Sequence, residues 1–574
     1  MSKWPNGFQK GLTQYGDQGF SLFHRKLFLK SMGYSEDALD RPIIGITNTA
    51  SAYNSCHGNV PALIEAVKRG VAMAGGLGFE FPVLSLHEAF AYPTSMYLRN
   101  LMAMDVEEMI RAQPMDAVVL IGGCDKTVPA LLMGAISAEK PAIMTVTGPM
   151  LTGHHRGERV GACTDCRRFW AAHRAGTMDE AEITEVNDQL APTVGTCMVM
   201  GTASTMAVCA EVMGMMLPGG ATPPAVTAGR LRHAEMTGTR AVAIGKEGLT
   251  PDKVLDRRSI TNAYRALMAI GGSTNAVVHL SAIAGRLGVE VPLDEVDRLG
   301  QEMPMVVNLK PSGTKYMQEL DAAGGVPALL DTLADRFDLD ASTVAGSTLG
   351  DAAKAHKTSV DRDTIYPADA PLKPKGAVAV LFGNLAPNGA VIKESAAGTA
   401  FLNHTGRAVV FDGLADMMAR VDSDDLDVSP DDVLIMRGIG PRGAPGMPEA
   451  GSIPIPKKLA RQGVTDMVRI SDGRMSGTAY GTVILHVSPE AAVGGPLSKV
   501  RTGDTVTLDV PGRRIDLVGV DLDARDPQFL SDYTVPTRGY GALFDREITQ
   551  AHEGADFAFL RGRGRGDGTG SVPK

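Results

Sequence analysis

Two textures of apolar and polar residues divide the chain. In the first, over residues 1–350, helix-like spacings alternate with short apolar runs. Leu63, Val67 and Val71 recur every four residues, Pro61 suits a first helical turn, and Gly75-Gly76 stops the pattern, which predicts a helix over 61–74. Residues 81–86 read as a strand. Asp116-Ala117-Val118-Val119-Leu120-Ile121 is nearly unbroken in its apolarity, as expected of a strand covered on both faces, and it ends at Gly122-Gly123. A helix is expected to begin near Pro129 and a further strand to span 142–146. Such alternation predicts a parallel sheet covered by helices.

The second texture begins at Gly376. Short β-rich runs occupy 377–382, 408–411, 433–436, 467–470 and 482–487, and 505–510 with 514–520 flank Pro511-Gly512 as a hairpin. The intervening 351–375 is polar and carries Pro367, Pro371 and Pro374, the composition of a linker. The predicted organisation is an N-terminal α/β domain over 1–350, a linker over 351–375 and a β-rich C-terminal domain over 376–574. The Arg-Gly repeats from Arg561 read as a flexible, solvated terminus.

Composition narrows the function classes. Lys plus Arg number 56 against 65 for Asp plus Glu, a net charge of −9, which argues against a broad grip on nucleic acid or anionic membrane. The 21% charged and 44% hydrophobic residues fit a globular chain rather than a disordered one. The most membrane-like stretch, 198–217, contains Thr202, Ser204, Thr205 and Glu211, and reads instead as a buried, Met-rich helix. The polar N-terminus lacks a signal peptide, and six cysteines without a secretion signal indicate a reducing cytoplasm.

Three cysteines stand where a chain can present a ligand. Cys56 lies in a loop before the helix at Pro61. Cys124 follows the doubly covered strand, and ligands bind at such strand ends in open parallel sheets. Cys197 is expected to open the Met-rich helix, whose dipole would favour a thiolate. Their spacing matches no short metal motif, so chance placement and joint ligation both remain open from the residues alone. Cys209 reads as core. Cys163 and Cys166 form a C-x-x-C pair, a weak zinc or redox signal without a second pair, and read as reduced structural thiols.

Asn54-Ser55-Cys56-His57, Gly123-Cys124-Asp125-Lys126-Thr127-Val128-Pro129 and Gly195-Thr196-Cys197 resemble the three cysteine motifs of the dihydroxy-acid dehydratase and 6-phosphogluconate dehydratase family. Gly271-Gly272-Ser273-Thr274-Asn275-Ala276 and Ser471-Asp472-Gly473-Arg474-Met475-Ser476-Gly477 match further family motifs, in order, between Gly45 and Val535. The resemblance implies an α/β N-terminal part and a barrel-like C-terminal domain that closes over the site. Branched-chain members usually carry an Asp-Gly-Ile segment and a Tyr-Ser-Leu-x-Ser-Arg-Glu stretch. Here His87-Glu88-Ala89-Phe90-Ala91-Tyr92-Pro93-Thr94-Ser95-Met96-Tyr97-Leu98-Arg99-Asn100 instead resembles the sugar-acid branch of arabinonate and xylonate dehydratases.

That resemblance implies loss of water from a sugar acid to give a 2-keto-3-deoxy acid. It implies an iron–sulfur cluster on Cys56, Cys124 and Cys197, [2Fe-2S] in preference to [4Fe-4S], with an iron open to act as a Lewis acid. It also implies Mg2+ held by Glu88, Asp125 and Glu449, with Lys126 carbamylated as a further ligand. Ser476 is implied as the base, with Thr478 orienting substrate or serine. His57, His87, His154 and His155 are rival bases on side-chain pKa.

The expected partners are a small sugar acid and further copies of the chain, as homodimer or homotetramer, with neither nucleic acid nor membrane. The alternatives are a dihydroxy-acid dehydratase of branched-chain synthesis and an iron–sulfur regulator binding nucleic acid. A nucleotide-binding reading rests on Gly438-Ile439-Gly440-Pro441-Arg442-Gly443, but Pro445 and Pro448 forbid the helix that would receive a pyrophosphate, so a plain loop is expected.

Overall fold

The computed structural model describes residues 7–355, 359–528 and 533–562. The Arg-Gly repeats beyond Gly562 lie outside the described residues.

Four parallel strands form the N-terminal sheet: β1 (Ile43–Asn48), β2 (Leu77–Pro82), β3 (Ala117–Gly122) and β4 (Ala142–Val146), in the order β2-β1-β3-β4. Every residue of β3 and β4 is buried, as their apolar runs require. The expected strand at 81–86 is displaced. Its apolar residues follow an edge strand whose register, Ile43↔Leu77 to Asn48↔Pro82, is set by pairing with β1, and Pro82 closes it. β1 itself was not predicted.

Helices α1 (Val60–Met73), α2 (Ser95–Ala112), α3 (Thr127–Ala138), α4 (Thr164–Ala175), α5 (Thr202–Val212), α6 (Ala228–Glu247) and α7 (Asn275–Arg286) include those that pack on the sheet or line the site. α1 and α6 pack closely because glycines meet backbone there. A Cβ on Gly70 would lie 1.9 Å from the Glu235 carbonyl oxygen, and one on Gly238 would lie 2.2 Å from that of Val67. α5 is wholly buried, so the Met-rich stretch is core as expected, but its helix starts at Thr202. Cys197 therefore stands five positions ahead of the helix and does not cap it, because the chain from Thr196 to Gly201 is spent pairing with neighbouring loops.

The C-terminal part closes into an eight-stranded barrel. Its strands are β5 (Ala379–Gly383), β6 (Ala386–Ile392), β7 (Asn403–Asp412), β8 (Val433–Arg437), β9 (Arg469–Ser471), β10 (Val483–Leu485), β11 (Thr505–Asp509) and β12 (Arg514–Val518). The order around the barrel is β8-β9-β10-β6-β5-β12-β11-β7. The hairpin expected around Pro511-Gly512 is β11–β12, antiparallel from Thr505↔Val518 to Asp509↔Arg514. Leu381, Ile392, Ile435, Ile470, Ile484, Leu508 and Ile515 belong to its buried core. Residues 359–375 run along the N-terminal part, where Tyr366 donates to the Val306 carbonyl and Lys373 pairs with Met305. Among the described residues, no helix is long and apolar enough to cross a membrane.

Candidate active site

The turn after β3 is built to present Cys124, Asp125 and Lys126. Gly123 passes so near Thr147 that a Cβ would lie 1.7 Å from its hydroxyl, so the chain can bend there only as glycine. His57 then takes over. Its Nδ1 lies 2.8 Å from the Thr49 carbonyl, and its Nε2 accepts the amides of Gly123 and Cys124 at 3.0 and 3.1 Å. That pattern requires the proton on Nδ1. Burial lowers the His57 pKa to about 4, so the ring is neutral and both nitrogens are engaged.

Cys56 and Cys124 are buried beside each other, and the Cys124 thiol donates to Asp125 at 3.5 Å. The contact with Cys124 draws the Cys56 pKa below its ordinary value, and contact with Cys56 and burial push Cys124 up. The Cys197 loop joins them through the Gly195 amide, which donates to the Ser55 carbonyl at 3.2 Å. Cys163 is not remote: its Sγ lies 2.8 Å from that of Cys197.

Beside these sulfurs, Glu88, Asp125 and Glu449 each offer an oxygen within 4.8 Å of the others. Two buried cations hold the carboxylates together. Lys126 Nζ lies 2.6 Å from Asp125 and 3.0 Å from Glu88. Arg474 reaches Glu88 at 2.7 Å and Glu449 at 2.5 Å. Burial opposes charge on Glu88, but Arg474 and Lys126 outweigh it and hold the carboxyl well below its ordinary range. Glu449 is pushed the other way, by burial and then by Glu88. Lys126, against burial and Arg474, is kept protonated by Asp125, Glu88 and Glu449. Ser95 donates to Glu88, and Asn275 Nδ2 donates to Glu449 at 3.0 Å.

The turn after β9 carries Arg474, Ser476 and Thr478. Ser476 and Thr478 share a hydroxyl–hydroxyl bond of 2.9 Å. The turn is pressed onto the N-terminal half: the Thr164 hydroxyl donates to the Thr478 carbonyl at 3.0 Å, and a Cβ on Gly477 would lie 2.5 Å from Ser273. Lys393, fully buried, donates to the Gly477 carbonyl at 2.9 Å.

His87 stands beside Cys56 and, unlike His57, is drawn towards its charged form. Burial opposes its charge, but Cys56, Asp125 and Glu88 raise its pKa. His154 is exposed on a two-stranded ribbon, and His155 packs beside Glu185. The Gly438–Gly443 segment is a turn, as expected, and its amides are occupied internally: Gly438 and Ile439 donate to Asp472, Arg442 and Gly443 to Glu490. Arg474, Asn275 and Lys393 carried no assigned role in the sequence. The first two stand inside quoted motifs, which was their signal; Lys393 had none.

Residues 41–352 match the dihydroxy-acid/6-phosphogluconate dehydratase N-terminal domain, and 363–555 match the C-terminal domain. The chain belongs to this dehydratase family. The enzyme is accordingly a hydro-lyase. It is 46% identical over 566 residues to an L-arabinonate dehydratase of Rhizobium leguminosarum bv. trifolii (strain WSM2304), covering 98% of this chain and 97% of that one. It is 42% identical over 531 residues, 92% of each chain, to a 6-deoxy-6-sulfo-D-gluconate dehydratase of Pseudomonas putida. A dihydroxy-acid dehydratase of Desulfosudis oleivorans (strain DSM 6200 / JCM 39069 / Hxd3) is 39% identical over 551 residues, 93% of this chain and 97% of its own. The sugar-acid dehydratases are thus the more similar of these relatives, as the 87–100 segment led us to expect.

The donor sets discriminate between groups they can hold. Glu88, Asp125 and Glu449 offer oxygen alone, which suits a hard divalent cation. The thiols of Cys56, Cys124 and Cys197 suit iron and sulfide. Among the described residues, buried Asn275 Oδ1, Thr127 Oγ1 and Arg474 Nε have no hydrogen-bond partner, so the surrounding walls keep polar capacity for a bound group.

Proposed function

We propose that this hydro-lyase removes water from an aldonate such as arabinonate or xylonate, giving a 2-keto-3-deoxy acid. The observation that carries the reading is the oxygen triad of Glu88, Asp125 and Glu449, set between the Cys124 turn and the Ser476 turn. The names of the more similar relatives support the substrate class. Cys56, Cys124 and Cys197 would hold a [2Fe-2S] cluster, and Glu88, Asp125, Glu449 and a carbamylated Lys126 would hold Mg2+. When bound, these groups supply an open iron position for the C3 oxygen and a hard cation for the carboxylate and C2 oxygen.

The chain's own residues do the rest. Ser476 Oγ, as the alkoxide that a neighbouring hard cation would stabilise, takes the C2 proton and becomes a hydroxyl, and Thr478 Oγ1, 2.9 Å away, orients it by a hydrogen bond. Arg474 ties Glu88 to Glu449, so residues from both halves of the chain keep one geometry while charge develops. Lys126 as an amine already bridges Asp125 and Glu88; conversion to a carbamate would exchange that cation for another oxygen donor.

Turnover of a panel of aldonates against 2,3-dihydroxyisovalerate, read as 2-keto acid formed, tests the substrate class. Preference for a pentonate is expected; preference for the branched substrate would move the protein to amino-acid synthesis. Iron and sulfide analysis with EPR of the reduced protein tests for one [2Fe-2S] per chain. A homodimer or homotetramer is supported by the exposed Phe20, Phe23, Leu27 and Phe28 on the helix Gln18–Ser31, and light scattering measures it.

A further inference from the structure

The C-x-x-C pair takes no part in the proposed reaction, yet the fold sets it against Cys197. Cys163 is the residue that caps α4, and Cys166 lies within its first turn. Cys163 Sγ is 2.8 Å from Cys197 Sγ, and Cys166 Sγ donates to the Cys163 carbonyl at 2.9 Å, which keeps it over the first turn beside Cys163. These three cysteines are partly exposed as residues, whereas Cys56 and Cys124 are buried. The arrangement is held in place. Cys163 adopts φ 102°, a conformation that a residue with a side chain rarely takes. The next residues are fastened on both sides: Thr164 to the Thr478 carbonyl, and Asp165 to the Gly161 amide, Lys310 and the Tyr316 hydroxyl. A surface cavity lined by Cys166, Arg167, Trp170, Ile183, Asn187 and Leu190 opens beside the last sulfur of the row.

We propose that Cys163 and Cys166 form a thiol relay that returns oxidised Cys197 to a thiol. A hydroperoxide oxidises uncoordinated Cys197 to a sulfenic acid, its O–O bond breaking to leave an alcohol or water. Cys163 sulfur attacks Cys197 sulfur; the S–O bond breaks, and the hydroxide leaves as water with the Cys163 proton. Cys166 sulfur then attacks Cys163 sulfur, the Cys163–Cys197 bond breaks, and the Cys166 proton goes to Cys197. Two electrons have passed from the Cys163/Cys166 dithiol to the hydroperoxide, and Cys197 is again free. The cavity beside Cys166 admits an external dithiol, which reduces the Cys163–Cys166 disulfide by exchange. The purpose of the relay, keeping a cluster ligand available for reassembly, rests on the reading of Cys197 given above; the sulfur chemistry does not.

The full-length protein as isolated is exposed to hydrogen peroxide, quenched with an alkylating agent and digested with trypsin without reduction. Wild type is expected to yield a disulfide within the peptide 160–167, with Cys197 recovered as an alkylated thiol. Cys166→Ser should trap the Cys163–Cys197 cross-link. In Cys163→Ser, or Cys163→Ala if the serine variant folds poorly, Cys197 should pass to sulfinic and sulfonic acid, and cluster colour should not return with iron, sulfide and dithiothreitol. Equal over-oxidation of Cys197 in wild type and Cys163→Ser, with no cross-link in Cys166→Ser, overturns the relay. A Cys197→Ser protein that keeps its cluster absorbance instead overturns the ligand reading, and leaves the mapped disulfides untouched.

Discussion

His57 does more for the site as a scaffold than it would as a base. Both its nitrogens are spent, one on Thr49 and one on the amides of Gly123 and Cys124. His57→Leu would leave those two amides without an acceptor, at about 1–3 kcal/mol each. If Cys56, Cys124 and Cys197 hold the proposed cluster, iron per chain and cluster absorbance are expected to fall although all three cysteines remain. Ser476 is the complementary case. If it takes the C2 proton, Ser476→Ala should lower kcat by about 10²–10⁴-fold, with KM, iron content and thermal midpoint little changed. A hydroxyl that only braces the turn would cost about 1 kcal/mol of stability and leave the chemistry standing. Steady-state kinetics beside calorimetry separates the two.

At the scale of elements, the close pairing of α1 with α6 sets where the Cys56 loop ends, because α1 follows that loop directly. Gly70 and Gly238 are the contact points, each with backbone oxygen inside the space a Cβ would need. Gly238→Ala should therefore destabilise the protein by about 1–3 kcal/mol, read as a lower midpoint in calorimetry, while turnover per folded molecule is kept. The strand patterns were legible wherever both faces are buried: β3 and β4 lie within a residue of their expected positions. β2 was misplaced for the converse reason. It is an edge strand in which Phe81 alone is buried, so hydrophobicity marks it poorly and pairing with β1 decides its limits.

For the molecule as a whole, the decisive contact is that of the Ser476 turn with the N-terminal half. Gly477→Ala would drive a methyl into Ser273 and lift the turn away. Turnover should fall several-fold, with the cluster retained, as absorbance and kinetics on one preparation would show. Lys393 gives a second handle on this contact. Burial lowers its pKa from the ordinary 10.5 to about 7, so between those values the unfolded chain binds more protons than the folded one. Stability therefore rises with pH across that window. Lys393→Met should flatten the rise, measured as denaturant midpoints from pH 7 upward.

Local signals in the chain were enough to specify the two architectures and to carry the family motifs. Apolar runs and glycine stops act locally, and the motifs keep their residues adjacent in the chain. What they left open was which groups meet. Residues 88, 125, 449 and 474 come together only because the parallel sheet and the closed barrel face each other across the Ser476 turn. Likewise Cys163 and Cys166 read as structural thiols, and Cys197 as a helix cap. The meeting of Cys163 with Cys197, sulfur against sulfur at 2.8 Å, arises where α4 docks on the turn carrying Thr478. Spacing along a chain fixes distance only within an element; between elements, packing decides it.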